Sequence, residues 1–281
     1  MMEHWERFRP LMEMGKLEII EFGLDRKDSF AQTNRTFSFY GVSYMSSGRS
    51  IVRYADGVVE YGPGDAFLIS PGVRHDHVQL PGEQAVFLWW NFRYDIAGCV
   101  DALRVFDLPR KVTMRSVDRF CTVFNDYMRC QDNPGGLADL LLSQARALEM
   151  VSLILGEAFG SEHCRVRSGA HGELGSMVED ISRNAASHNL IQLLGEKYSM
   201  NPVYLSNRFT QAFGVPPSAL QRSIRLQRAR DMLRTSDLPV GEIASALGYE
   251  NTNNFTRFFH RAEGMAPLAY RRLARRGNGS L

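Results

Sequence analysis

Residues 237–270 read DLPVGEIASALGYENTNNFTRFFHRAEGMAPLAY. Glu242, Ile243 and Ala244 open a short apolar-periodic segment, with Ile243, Ala244 and Leu247 on one side, and Gly248 stops it. Asn251 is a good N-cap, and the segment after it sets Phe255, Phe258 and Phe259 at helical spacing, with Thr252, Asn253, Thr256 and Arg257 on another face. A short helix, a turn carrying Gly248 and a second helix make a helix-turn-helix outline, whose second helix suits a DNA major groove. Thr, Asn and Arg side chains can reach base edges there.

Working back along the chain, the same unit occurs a second time. Asn201/Asn251, Leu205/Phe255, Phe209/Phe259, Gly214/Gly264 and Pro217/Pro267 all stand 50 apart. Leu190 to Tyr198 and Pro202 to Phe213 form the earlier helix pair, with Asn201 as cap and Pro202 at the first helical position. In the preceding helix the offset falls to 49, Gly195 matching Ala244, because the second turn is one residue longer. Gly195 is expected to cost about 1 kcal/mol of local helix stability and little else. Met177 to Ser187 reads as a helix ahead of the pair. Pro217 to Leu233 joins the two units with Leu220, Ile224, Leu226, Ala229 and Leu233 inward and Arg222, Arg225 and Arg228 outward. One continuous helix would hold two recognition helices about one DNA turn, ~34 Å, apart.

Pro239, Val240, Glu242-Ile243-Ala244, Gly248-Tyr249, Asn251, Phe255, Arg257, Phe259, Gly264, Pro267, Tyr270 and Arg271 resemble the signature of the AraC family of bacterial transcription regulators. Tyr249 stands where Phe is usual, Asn251 where Asp is usual, and Asn253-Asn254 where Ser-Tyr is common. The resemblance implies an all-α DNA-binding domain over residues 176–281 with two helix-turn-helix units. Base-facing positions would be Val203, Ser206 and Asn207 in the first recognition helix, and Thr252, Asn253, Thr256 and Arg257 in the second. Arg257 is the candidate guanine reader, since a guanidinium bonds O6 and N7 together at ~1–3 kcal/mol of discrimination; the alternative is a phosphate contact.

Charge follows this division. From Leu174 onward there are 14 Lys and Arg against 8 Asp and Glu, and the remainder holds 19 against 23, so the C-terminal third is basic within a chain of net charge +2. A basic surface there suits a phosphate backbone. At 281 residues the chain is long enough for two domains. It has no apolar run long enough to span a bilayer, and MMEHWERFRP lacks the apolar centre of a signal peptide, so a cytoplasmic protein without membrane attachment is expected. Cys99, Cys121, Cys130 and Cys164 have no CxxC spacing and fit reduced, incidental thiols.

From Thr36 to Tyr94 the pattern changes to short alternating apolar runs broken by Asp56-Gly57, Gly62-Pro63-Gly64-Asp65 and Pro81-Gly82. This predicts a small antiparallel barrel or sandwich. GPGDAFLISPGVRH, residues 62–75, is similar to the half-barrel motif of cupins, as in the effector domains of sugar-sensing AraC relatives. The expected fold is therefore two-domain, all-β plus all-α: a cupin-like antiparallel β-barrel with dimer helices over 1–160, a linker over 161–175, and the helical domain. Strand alternation puts His75 and His77 on one face, Trp89 and Asn91 on one face with Phe87, and Tyr44 and Ser46 on one face; the resemblance places Ser46, His77 and Trp89 toward a ligand. Tyr44, Ser46, His75, His77, Trp89 and Asn91 are the candidate effector contacts, with an aromatic platform suited to a sugar or another small polar metabolite. The opposite parity, with Trp90 and Phe92 inside, stays open. His75-Asp76-His77 also resembles the HxH of metal-binding cupins, but the Glu such a site needs falls on Glu83 in a turn, so neither a metal nor a cofactor is expected.

Val117, Phe120, Cys121, Phe124 and Tyr127 predict an amphipathic helix, ended by Asn133-Pro134-Gly135-Gly136. Leu137 to Phe159 follows, with Leu140, Leu141, Ala145, Leu148, Val151, Ser152 and Leu155 as a stripe to be buried on the barrel or on a partner chain. The expectation is a ligand-responsive DNA-binding transcription regulator, not an enzyme, that controls a carbohydrate or other small-metabolite operon. Its expected partners are double-stranded DNA, RNA polymerase, an effector and a second copy. A cupin metalloenzyme fused to a DNA-binding tail, or a barrel that only dimerises, are the alternatives.

Overall fold

The computed structural model describes residues 8–82, 84–132, 135–161, 163–167 and 173–277. Of these, residues up to Lys16, Asp95–Val105 and those after Arg167 form one compact unit, and Leu17–Tyr94 with Phe106–Arg167 form the other.

The second unit is built on antiparallel strands β1 (Lys16–Lys27), β2 (Ala31–Arg35), β3 (Tyr40–Ser47), β4 (Ser50–Tyr54), β5 (Gly57–Tyr61), β6 (Asp65–Ile69), β7 (His75–Gln79) and β8 (Ala85–Ile96), whose last two residues pair with the short β9 (Val100–Asp101) within the first unit, and on the short β10 (Phe106–Asp107), β11 (Lys111–Thr113) and β12 (Arg165–Val166). They pair into a sheet ordered β1-β8-β3-β6-β11, a second sheet ordered β2-β7-β4-β5, and a β10-β12 ribbon. The Asp56-Gly57 turn joins β4 to β5 as expected, with Tyr54 opposite Gly57. Phe67 and Ile69 of β6 pack with Val52, Tyr54 and Tyr61, so the two large sheets meet face to face over an apolar core.

β3 is buried from Tyr40 to Met45, which requires cover on both faces. One face meets the other sheet. Helix Val117–Asp132 covers the opposite face: Phe120 lies 5.1 Å from Tyr44 and 5.5 Å from Trp90, ring centre to ring centre. The helix Leu137–Gly160 buries Ser143, Ala147, Met150, Ile154 and Ala158. Of the two covers considered for the stripe read from the sequence, the chain's own β unit does not supply one for most of it. Val151 is buried, but Leu140, Leu141, Ala145, Leu148 and Ser152 are exposed. The span read as a linker, 161–175, contributes β12 and the first turn of the next helix, Glu173–Arg183, which begins and ends four residues before the predicted 177–187.

In the helical unit the 50-residue repeat is structural. Asn201 accepts hydrogen bonds from the Val203 and Tyr204 amides, and Asn251 accepts one from the Asn254 amide. Leu205, Phe209, Phe255 and Phe259 are fully buried. Gly214 and Gly264 end their helices at φ +76° and +72°, the left-handed conformation glycine adopts without penalty. The turns differ by one residue, and the left-handed position within them is filled by Ser199 at φ +50° in the first and Gly248 at +77° in the second. Gly195 has a reason the sequence did not disclose. A Cβ there would lie 2.8 Å from the Met200 carbonyl oxygen, so the shorter turn needs a glycine beneath it.

Helix Pro217–Thr235 is continuous and buries Leu220, Ile224, Ala229 and Leu233. Arg222 and Arg228 are exposed as predicted, whereas Arg225 is half-buried. Arg225 donates to the carbonyls of Ala185 (2.6 Å) and Ser187 (3.1 Å), and Arg228 to that of Ser182 (2.7 Å). Gln221 donates to the same two carbonyls as Arg225. These side chains cap the end of helix Glu173–Arg183, where backbone acceptors have no partner within the helix.

Candidate nucleic-acid interface and effector cavity

Helix Pro202–Phe213 turns Leu205, Phe209 and Phe213 inward, and Val203 and Asn207 are exposed with Ser206 and Thr210 half-buried beside them. Helix Thr252–Glu263 does the same around Phe255 and Phe259, leaving Thr252, Asn253 and Arg257 exposed and Thr256 half-buried. All seven predicted base-facing residues thus lie on the outer sides of two capped helices. Arg257 donates to the Asn254 side chain at 2.7 Å, which holds the guanidinium against its own helix. Arg222, Arg257 and Arg261 line a groove of about 490 Å³ between helices Pro217–Thr235 and Thr252–Glu263, floored by Leu226 and Phe258. Tyr204, exposed beside Val203, was not singled out from the sequence.

In the β unit a cavity of about 130 Å³ opens beside β1, β2, β3, β7 and β8. Three predicted residues line it: His77, Trp89 and Asn91. The parity on β8 is therefore the first of the two considered, with Trp90 and Phe92 on the helix-covered face. On β3 the parity is reversed. Ser43 is paired with Trp89 and Gly41 with Asn91, and directly opposed residues share a face, so Gly41 and Ser43 reach the cavity. Tyr44 points instead to Phe120, where burial pushes its hydroxyl up to about 12, and Ser46 is exposed. His75 is buried against Phe37, its Nδ1 at 3.0 Å from the Val73 carbonyl, and does not line the cavity.

Sequence reading missed Glu21, Asp25, Gln32, Arg35, Ser43 and Phe37, all of which line the cavity. One signal was present. A strand-interior glycine marks close approach of another group, and a Cβ on Gly23 would lie 2.9 Å from the Trp89 indole and one on Gly41 3.1 Å from the Phe37 ring. The rim carries both signs of charge: Asn91 donates to Glu21 at 3.4 Å, and the Arg35 guanidinium bonds Gln32 and sits 4.6 Å over the Phe37 ring. Burial lowers the Arg35 pKa while Glu21 opposes that shift. Deeper in, Ser43 Oγ and Trp89 Nε1 are buried without a hydrogen-bond partner among the described residues. Leaving a buried donor unpaired costs roughly 1–3 kcal/mol, a penalty that a ligand oxygen can remove.

His77 closes the inner end. Its Nε2 lies 3.0 Å from Ser50 Oγ, and its ring is edged by Phe30 at 4.6 Å and Phe67 at 4.8 Å. Among the described residues no three His, Cys, Asp or Glu side chains gather as a metal site would require; Glu83 lies outside those residues.

A model of the AraC-like ligand binding domain matches residues 20–149, and a helix-turn-helix domain model matches residues 194–273. The chain belongs to the AraC family. Relatives include the MmsAB operon regulatory protein of Pseudomonas aeruginosa, 26% identical over 84% of this chain and 76% of that one, and the transcriptional activator RhaR of Pectobacterium carotovorum, 26% identical over 74% and 75%. An uncharacterized HTH-type regulator of Bacillus subtilis, YisR, is 22% identical over 89% of this chain and 91% of its own. Among solved structures, the C-terminal domain of AraT from Geobacillus stearothermophilus is 30% identical over 36% of this chain and 84% of that one, with a TM-score of 0.34. These relatives are named as regulators, and the chain is a ligand-responsive AraC-family transcription regulator with DNA as its partner. Among the described residues no helix is long and apolar enough to cross a membrane.

The buried imidazole gives this AraC-family sensor a pH limit. Burial, then the nearby charges of His75 and Arg35, lower the His77 pKa to about 3, against about 6.5 in an unfolded chain. The unfolded state therefore binds the extra proton first. Stability is complete above pH 6.5 and falls as pH drops toward 3, by up to about 1.4 kcal/mol per unit. We expect the melting midpoint of the β unit to fall steadily from pH 6.5 to 4.5, and the His77→Gln protein to lose part of that slope, the remainder belonging to His75, whose pKa burial also lowers. An equal slope in both proteins would place the pH response elsewhere.

Proposed function

We propose that the chain binds a small polar metabolite in the cavity lined by Trp89, Asn91, His77 and Ser43, and that this binding changes its occupancy of a promoter. The supporting observation is the pairing of unpartnered buried donors with a rim of both charges in a cavity too small for a macromolecule. A sugar is one candidate, since the aromatic walls and polar rim suit hydroxyl groups, and control of a catabolic operon is the corresponding role. Val203, Ser206, Asn207, Thr252, Asn253, Thr256 and Arg257 face the bases in this reading. The protein acts in the cytoplasm, in contact with RNA polymerase.

Dimerisation belongs to the same reading. Leu137, Leu140, Leu141 and Leu148 are 54–72% exposed along one helix, an apolar stripe that a second copy would cover. A Leu141→Glu, Leu148→Glu double substitution is expected to convert a sedimenting dimer to a monomer with the β unit still folded.

The deciding experiment is thermal melting against a panel of sugars, sugar acids and amino acids, followed by DNA binding with each hit, because a ligand that prefers the native state raises the midpoint by mass action. The Gly23→Val protein, whose side chain displaces the Trp89 indole, is expected to lose the ligand-induced rise while binding DNA unchanged. If no compound moves the midpoint of the native protein, the cavity is not an effector site.

A further inference from the structure

The 50-residue repeat allows the two reading faces to be compared position by position. Val203 corresponds to Asn253, Tyr204 to Asn254, Asn207 to Arg257 and Gln211 to Arg261. The second face is polar and cationic. The first carries no charge at these positions, and in its opening turn it exposes two large apolar side chains, Val203 at 68% and Tyr204 at 58%. Neither is needed by the helix. Asn201 and Pro202 already supply the cap and the first turn, valine is a poor helix former, and Leu205, Phe209 and Phe213 do the inward packing. A lone exposed valine would need no explanation, but two adjacent apolar side chains on a groove-facing turn form a small apolar surface where the repeat has asparagines.

In the major groove only one base edge offers an apolar partner, the C5-methyl of thymine, whereas guanine offers two acceptors to a guanidinium. We propose that the two helices read different chemistry: the first recognises thymine through its methyl group, with Val203 as the contact and Tyr204 flanking it, and the second supplies the cationic grip on guanine and phosphate. The operator is then asymmetric, with thymine in the segment under Pro202–Phe213 and guanine in the segment under Thr252–Glu263. This rests on the DNA-binding reading of the two helices given above.

The test starts from duplexes selected by the full chain out of a randomised library. Each thymine of the selected site is replaced in turn by deoxyuridine, which deletes only the methyl group, and each guanine by 7-deazaguanine, which deletes the N7 acceptor. One buried methyl corresponds to about a three- to fivefold change in affinity. We expect one or more deoxyuridine positions to weaken binding by that factor, and the Val203→Ser protein, melting as the native one does, to bind the thymine and uracil duplexes alike. Its sensitivity to 7-deazaguanine should persist, while the Arg257→Ala protein shows the reverse pattern. If deoxyuridine is tolerated at every position, or if Val203→Ser keeps the methyl preference, the thymine assignment is overturned while DNA binding itself stands. Failure to enrich any duplex would overturn both.

Discussion

Gly248→Ala is expected to cost the helical unit roughly 3–5 kcal/mol, whereas Gly264→Ala costs about 1 kcal/mol, although both glycines have nearly the same backbone conformation. Their φ angles are +77° and +72°. A non-glycine residue in that region is strained by about 1–2 kcal/mol at either place. The surroundings make the difference. A Cβ on Gly264 meets nothing within 4 Å, while one on Gly248 would stand 1.8 Å from the Ala186 carbonyl oxygen, well inside van der Waals contact. Relief requires the 185–187 segment to move, and its Ala185 and Ser187 carbonyls are gripped by Gln221 and Arg225. The alanine thus adds the breaking of charge-assisted hydrogen bonds to the backbone strain. Melting of the two variants by far-ultraviolet circular dichroism decides it: the Gly264 change should shift the helical transition by several degrees and the Gly248 change by at least twice as much. Equal shifts would mean that the Ala186 carbonyl yields without cost.

Which features were legible in the sequence follows from how local their causes are. Helix caps act over three residues and helical stripes over about four, so Asn201, Asn251, the buried phenylalanines and the 50-residue repeat could be read directly, and with them the outward faces of both recognition helices. The hairpin at Asp56-Gly57 is equally local. Strand parity is not local. It depends on register between β3 and β8, which are some 40 residues apart, and a slip of one residue exchanges the two faces. Trp89 and Asn91 were therefore placed toward the cavity while Tyr44 and Ser46 were placed there in error, although the pairing of Ser43 with Trp89 settles both at once. Glu21, Asp25 and Arg35 come from β1 and β2, whose sequences alternate too weakly to disclose a buried side. The cover of the leucines of Leu137–Gly160 stayed open in the sequence for a related reason. An apolar stripe shows that something covers it but not what, and the side of the helix buried within this chain is carried by the smaller residues Ser143, Ala147 and Ala158 with Met150 and Ile154.

Arg225→Met should lower the stability of the helical unit by roughly 2–4 kcal/mol, and Arg222→Met should leave it within about 0.5 kcal/mol of the native value while weakening DNA binding. The two arginines lie three residues apart on one helix and are indistinguishable by composition or charge. Arg225 is half-buried, donates to two backbone carbonyls and lies 5.2 Å over the Tyr249 ring, so it ties the end of helix Glu173–Arg183 to the turn of the second reading unit. A methionine keeps much of the packing volume but leaves the Ala185 and Ser187 oxygens to Gln221 alone. Arg222 is exposed and shares its groove with Arg257 and Arg261. Its removal should reduce the slope of log affinity against log salt by about one, as expected when a single cation no longer neutralises a phosphate. The two effects separate cleanly in a pair of measurements, a melt and a salt titration of DNA binding. An Arg225 variant that melts normally would show that the carbonyls of 185–187 find other donors, and an Arg222 variant with an unchanged salt slope would remove that side chain from the phosphate-facing surface. With both outcomes as expected, the basic character of helix Pro217–Thr235 divides into arginines that hold the two reading helices in register and an arginine that faces the DNA.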